Sequence, residues 1–388
     1  MRTIDHPTPV YRRLNPPQRT LFGPDLSNPS PRAVQGLIAS LEGAHDADFQ
    51  RVMAEARRLA ARVFQMEHGE VAILPALEEI APEAVLSSLV PSGAGIVVGV
   101  CGWYGERLAN LARHLGLNVA TVDAPRGKTV AIEDLVRAIE RHRPAAVLLM
   151  HGEAATGVLQ PLAGLAETCL ASGALLVVDA SFTLAGVDLP FSSWGIDVAW
   201  SGTQRCLSAL PGLTLVALSP RALERLSPAG PSALHLRRAL DGAYETFPAP
   251  LLYALDEVLQ LCSDQGLAYR FFRHVDRRDA LVAGLDALRV GMVAEPDVRL
   301  PSVTVARVPN GVDGALVTTQ LLARFRLEIG GPVEPVVGPV WRIGIMGHSA
   351  APANLLLLLS AMEMLLEEQG LTVPRGAAAR EAIARLDW

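Results

Sequence analysis

The sequence predicts an α/β protein in which a large domain, built on a mostly parallel seven-stranded sheet between helices, precedes a smaller C-terminal α+β domain. Three observations carry this expectation. Seven apolar runs of strand length alternate with helical patterns. Those runs are continuous, not alternating, as strands buried on both faces require. From about residue 251 the texture changes to long helices with two late strands.

In chain order, strands are expected at EVAIL (70–74), GIVVGV (95–100), LNVATV (117–122), AAVLLMH (145–151), ALLVVDA (174–180), DVAWS (197–201) and LTLVALS (213–219). Segments such as YGERLANLARHLG and AIEDLVRAIERHR space apolar residues as amphipathic helices do, so they cover the sheet. Beyond them, SVTVARV (302–308) alternates with period two, VWRIGIM (340–346) forms another strand and APANLLLLLSAMEMLLEEQ forms a closing helix. The expected division is an N-terminal arm over 1–20, a large domain over 21–255 and a small domain over 256–388.

A formal net charge of −6 without basic clusters argues against nucleic acid as a partner. No apolar run approaches the roughly 18–20 residues that span a bilayer, and the polar, proline-rich opening lacks the apolar run of a signal peptide. The expectation is a soluble cytoplasmic protein. Cys101, Cys169, Cys206 and Cys262 are dispersed without a C-x-x-C pair, which implies reduced thiols and no zinc site. Lys128 is the only lysine in the chain.

Several stretches resemble, in order and over nearly the full length, the class V aminotransferases of the alanine–glyoxylate and serine–pyruvate branch. They are LFGPDLSNPSPRAVQ (21–35), GWYGER (102–107), TGVLQPL (156–162), LLVVDASFTLAGVDLPFSSWGIDVAWSGTQRCLSALPGL (175–213) and VWRIGIMGHSA (340–350). The resemblance implies the fold type I architecture of pyridoxal phosphate (PLP) transferases and a homodimer. It also implies that the segment at 201–205 ends in the Schiff-base lysine and that Asp179 meets the pyridine nitrogen. Arg205 stands at that lysine's place. A Schiff base needs an amine with a free lone pair, and a guanidinium stays protonated to a pKa above about 12. Lys128 lies in APRGKTV, a surface connection, so it is not expected to substitute.

The same comparison places PALEE (75–79) at the phosphate cup. Pro75 has no N–H to offer, Leu77 has no hydroxyl, and Glu78 and Glu79 bring negative charge. At about 5 Å and an effective dielectric near 20, each carboxylate opposes each phosphate charge by roughly 3 kcal/mol. Ala154 and Ala155 stand where relatives carry hydroxyls, and Ala243 where relatives have a phosphate-binding tyrosine from the partner subunit. Ser201, Gln204 and Thr246 still match the resemblance. By the same resemblance Arg342 grips a substrate carboxylate, Tyr104 or Trp103 stacks on a ring, and Asp25 stands near the substrate mouth. His151 is counted with the substrate-facing residues. Its HGE context (151–153) mimics the H-x-E of zinc deaminases, but P-C-x-x-C is absent and no metal is expected.

Plainer readings stand beside these. Arg205 can fill the cavity and pair with Asp179 or Glu79, Arg342 can belong to a structural ion pair, and Trp103 and Tyr104 can be packing. Cys206 reads as packing more than as a nucleophile.

The resulting expectation is a class V aminotransferase fold without a Schiff-base lysine or phosphate cup, which takes no cofactor. It binds or transforms a small carboxylate- or amine-bearing metabolite, with Arg205 and Arg342 as anion clamps and Glu78, Glu79 or Asp179 as acid–base groups. Two alternatives remain open: a non-catalytic subunit beside an active aminotransferase-like chain, and an enzyme that holds PLP or its amine form, PMP, non-covalently.

Overall fold

The computed structural model describes residues 16–228, 232, 234–242, 244, 246–333 and 338–387. Ala243, expected to mark a lost partner-subunit contact, lies outside the described residues.

The chain begins with β1 (Thr20–Phe22), α1 (Pro31–Leu37) and α2 (Ala47–Val63). Both helices start where a side chain satisfies an orphan N–H: Ser30 accepts from Arg32 with Pro31 behind it, and Asp46 accepts from Asp48. The large sheet is then laid down by β2 (Glu70–Leu74), β3 (Gly95–Val100), β4 (Asn118–Asp123) and β5 (Ala146–Met150), separated by α3 (Ala81–Leu89), α4 (Trp103–His114) and α5 (Ile132–His142). A short hairpin of β6 (Gly152–Glu153) and β7 (Val158–Leu159) follows, then α6 (Leu165–Ser172), β8 (Leu175–Asp179), β9 (Val198–Gly202) and β10 (Thr214–Leu218).

These strands form one seven-stranded sheet in the order β2-β10-β9-β8-β5-β3-β4. The run from β4 to β9 is parallel, and β10 is antiparallel to both β9 and β2. Every residue of β5, β8, β9 and β10 is buried, which is why their sequences read as unbroken apolar runs. The helices present narrower apolar faces; α5 buries only Leu135 and Ile139 against the sheet.

After α7 (Pro220–Arg225) and α8 (Leu236–Leu240), α9 (Ala249–Gln265) returns to pack on α1 and α2. The expected division at residue 255 therefore runs through a single helix whose Leu259 and Cys262 belong to the large core. The long α10 (Leu267–Ala287) leads to β11 (Val303–Arg307), α11 (Gly314–Gln320), β12 (Leu327–Ile329), β13 (Val340–Gly344), α12 (Pro352–Glu368) and α13 (Ala377–Ile383). Phe22 joins Leu285, Trp341, Ile343, Leu358 and Met362 in a separate core, because β1 pairs in parallel with β12. The segment after β1 thus crosses from the small core to the loop after β9, at the carboxyl end of the large sheet. No helix among the described residues is long and apolar enough to cross a membrane.

Candidate active site

A cavity of about 410 Å³ opens beyond the carboxyl ends of the parallel strands. In open α/β sheets this is where strand-end loops diverge, beside the point at which strand order reverses between β3 and β5. Its floor carries Met150 at the end of β5, Asp179 at the end of β8, and Ser181 and Phe182 just after it. Trp103 and Tyr104, the first residues of α4, form one wall, and Glu78 and Glu79, in a 3-10 turn after β2, form another. Arg342 from β13 and Asp25 from the crossing segment close the mouth.

Arg205, on the loop after β9, lines the cavity floor and is only 6% exposed. Its Nη1 lies 2.6 Å from Glu78 Oε1, its Nε donates to the Pro24 carbonyl at 3.1 Å, and its guanidinium carbon sits 4.2 Å from the centre of the Phe182 ring. Gln204 donates its amide N–H to the other Glu78 oxygen at 2.5 Å. Gly202 makes room for this pairing: a Cβ there would lie 2.4 Å from Glu78 Oε2. Burial alone would push the Glu78 carboxyl up, but Arg205 and Gln204 together hold it below its ordinary range. Among the three carboxylates anticipated around Arg205, Glu78 is the one in ion-pair contact. Glu79 turns outward toward Arg107, 3.6 Å away with both side chains well exposed.

The backbone on either side of Arg205 is tied down. Ser27 Oγ donates to the Arg205 carbonyl at 2.7 Å, the Ser30 N–H to the Ser208 carbonyl at 2.8 Å, and Arg270 from α10 to the Cys206 carbonyl at 2.6 Å. Cys206 itself is buried and its thiol is pushed up to about 12, so it packs and does not act as a nucleophile.

Asp179 accepts the Ser181 N–H at 2.8 Å, yet burial raises its pKa above the usual carboxylate value. Arg342 donates from Nε to the Gly331 carbonyl at 2.8 Å and from Nη1 to the Tyr104 hydroxyl at 3.3 Å. The aromatic wall continues inward, with Tyr104 edge-on to Phe182 at 5.1 Å and to Trp103 at 4.9 Å. Burial raises the Tyr104 pKa against the pull of Arg342.

Three anticipated substrate-facing residues, His151, Thr246 and Gln204, do not line the cavity. His151 is buried beneath it, its Nδ1 3.0 Å from the Thr183 hydroxyl and its ring edge-on to Trp194 at 5.8 Å; burial pushes its pKa down to about 3 and keeps it neutral. Thr246 is exposed and outside the lining. Gln204 acts through Glu78 and not on the open space. Among the described residues, the one group of acidic side chains close enough to share a metal ion, Glu42, Asp46 and Asp48, is exposed on the surface, away from the cavity lining.

Sequence reasoning passed over Phe182 and Arg107, which sit inside quoted stretches, and Glu153. The last is fully buried and takes three backbone N–H groups, from Tyr104, Gly105 and Ala155, at 3.4, 3.1 and 3.0 Å. Gly102, at the N-terminus of α4, offers no side-chain cap, so Glu153 supplies it from β6. In the sequence the HGE triplet stands out as a metal pattern, and nothing local reveals the cap.

The fold and the strand-end cavity define the fold type I class of PLP transferases. A family model for class V aminotransferases matches residues 34–328, and the chain belongs to that family. The (S)-ureidoglycine–glyoxylate transaminase of Bacillus subtilis (strain 168) is 29% identical, covering 96% of both chains. The alanine–glyoxylate aminotransferase of Callithrix jacchus is 33% identical over 93% of this chain and 91% of its own. Among solved structures, the ureidoglycine–glyoxylate aminotransferase of Bacillus subtilis superposes with a TM-score of 0.92 at 30% identity, covering 96% of this chain and 99% of that one.

These relatives correct the expectation that the chain takes no cofactor. Aminotransferases are PLP enzymes, so a cofactor-free state is at odds with the family, whereas the alternative allows PLP. The described residues fit such a cofactor unevenly. Asp179 and the aromatic wall suit a ring. The covalently anchored form does not fit: no lysine lines the cavity, and Lys128 instead pairs with Glu295 at 3.0 Å, half-exposed after β4.

Proposed function

We propose that this class V aminotransferase-fold chain binds a small metabolite bearing a carboxylate and an amine in the strand-end cavity, and that it does not work as a conventional lysine-linked transaminase. The observation that carries the reading is the pair Arg205–Glu78: a guanidinium, neutralised from within the chain, lines the floor where the family resemblance expects a reactive amine. Arg342, presented beside the Tyr104 hydroxyl, receives the carboxylate, because its planar fork matches two carboxylate oxygens. Trp103 and Tyr104 flank the ligand, and Asp179 is the acid–base group closest to the floor, its raised pKa bringing proton transfer nearer to neutral pH.

Calorimetric titration of the purified chain with glyoxylate, pyruvate and alanine, beside an amino-transfer assay with added PLP or PMP, tests this reading. Binding that Arg342→Gln weakens by about tenfold or more, with negligible turnover, is the expected result. Turnover at rates of about 1–10³ s⁻¹, typical of enzymes, would overturn it.

Exposed Val34, Ile38 and Leu41, on α1 and just after it, support a homodimer. Light scattering at micromolar concentration checks it, and a monomer contradicts it. Four buried free cysteines support the reducing cytoplasm as the compartment.

A further inference from the structure

We infer that the cavity takes the ring of the family's cofactor without its phosphate: an unphosphorylated pyridoxine-type ring is the ligand class, and the phosphate esters are disfavoured. The inference goes beyond the carboxylate-and-amine reading above, because it concerns the place of the ring and not that of Arg342.

A flat ring finds its partners here. Asp179 is buried, and its carboxylate takes the Ser181 N–H at 2.8 Å with no arginine or lysine in ion-pair contact among the described residues. A buried carboxylate without a counter-charge is costly, and a protonated ring nitrogen supplies that charge as a hydrogen-bond donor. Burial raises the Asp179 pKa, in keeping with a carboxylate that lacks its partner. Tyr104 stands edge-on to both Phe182 and Trp103, at 5.1 and 4.9 Å, so the wall offers aromatic surface to the ring.

A phosphate does not. It is held by free backbone N–H groups at a helix N-terminus or by guanidiniums free to pair with it. At α4, Glu153 already accepts the Tyr104 and Gly105 N–H groups, at 3.4 and 3.1 Å. At α3, the Ala81 N–H is bonded to the Glu78 carbonyl, and Pro82 has none. Two of the three lining guanidiniums are committed, Arg205 to Glu78 at 2.6 Å and Arg107 to Glu79 at 3.6 Å. Four carboxylates line the same space, so the lining already carries more negative than positive charge. An ester adds about two further negative charges, and a free hydroxymethyl group adds none. Glu78 lies in the stretch, 75–79, that the family resemblance assigns to the phosphate, and there it holds Arg205 with the negative charge an ester would otherwise bring.

Titration calorimetry on the full chain with pyridoxine and pyridoxamine, against pyridoxine phosphate and PMP, tests the inference. The unphosphorylated rings are expected to bind about tenfold or more tightly than their esters, and excess inorganic phosphate should not displace them. Glu78→Gln frees Arg205 and should bring the esters to within about threefold of the rings, whereas Asp179→Asn should weaken rings and esters alike. Circular dichroism checks each variant. If Glu78→Gln does not fold, Glu79→Gln, at an exposed position, carries the test: it frees Arg107 and should narrow the gap by about threefold. Esters that bind as tightly as the rings, or a gap unchanged in the folded glutamate variant, overturn the inference. Binding of neither form overturns it as well and leaves the carboxylate-and-amine reading standing, since that reading fails separately, when glyoxylate, pyruvate and alanine do not bind.

Discussion

Arg205 and Glu78 face each other at 2.6 Å with side chains 8% and 9% exposed, joining the loop after β9 to the turn after β2 at the carboxyl ends of those strands. A second bond from Arg205 to Pro24 ties in the segment that leads to the small core. Three parts of the chain, far apart in sequence, therefore depend on one guanidinium.

Removing that guanidinium leaves a buried carboxylate uncompensated. Arg205→Met should lower stability by about 3–5 kcal/mol, the range for breaking a buried pair. Combining it with Glu78→Leu should recover most of the loss, since two apolar groups replace two charges. Denaturant midpoints at a constant m-value measure both. A double variant no more stable than Arg205→Met would show that Glu78 is not the group left stranded.

Borohydride reduction in the presence of PLP should leave no stoichiometric phosphopyridoxyl adduct at any cavity residue, because no amine lines the site. Peptide mass mapping reads this directly. Arg205→Lys alone should also fail to restore transamination, since Glu78 then still places a carboxylate in the cavity wall beside position 205.

Arg342→Gln should weaken binding of small carboxylates by about 1.5–3 kcal/mol, the range for a hydrogen bond to a charged group. The fold should survive, because the Arg342 side chain bonds only to the Gly331 carbonyl and the Tyr104 hydroxyl among the described residues. Titration calorimetry measures the first and thermal melting the second.

Glu153 predicts a pH dependence. Burial raises its pKa from an ordinary carboxylate value to about 7, despite three backbone N–H groups that favour the charged form. A group whose folded pKa is raised holds its proton more tightly in the folded state. Its contribution is therefore complete below the unfolded pKa near 4.5, falls as pH rises between there and 7, and is lost above 7. The change amounts to about 3 kcal/mol at roughly 1.4 kcal/mol per unit. Stability measured from pH 5 to 8 should show this decline, and Glu153→Gln, which cannot ionise, should remove it.

Much of the framework was legible because buried parallel strands write themselves as continuous apolar runs. All seven runs read from sequence are strands of the one large sheet, each within a residue or so of its expected ends. β1, β6, β7 and β12 were not read, because two or three residues are too few to show a period. Arg205 was conspicuous for the same local reason: it interrupts a small-residue loop in a chain with a single lysine.

What the sequence determined by itself is therefore composition and local pattern: seven strands, the helices that cover them, an arginine on the loop after β9, and acidic residues after β2. Partnership was decided only in three dimensions. Glu78 and Glu79 are adjacent and chemically alike, yet the turn points Glu78 inward to Arg205 and Glu79 outward to Arg107, because neighbouring side chains leave a tight turn in different directions. His151 looked available for a ligand and instead lies buried just after β5 against Trp194, while Glu153, two residues on, caps α4. Each of these outcomes depends on contacts between residues tens to more than a hundred positions apart, and no local period or spacing encodes which strand end will meet which loop.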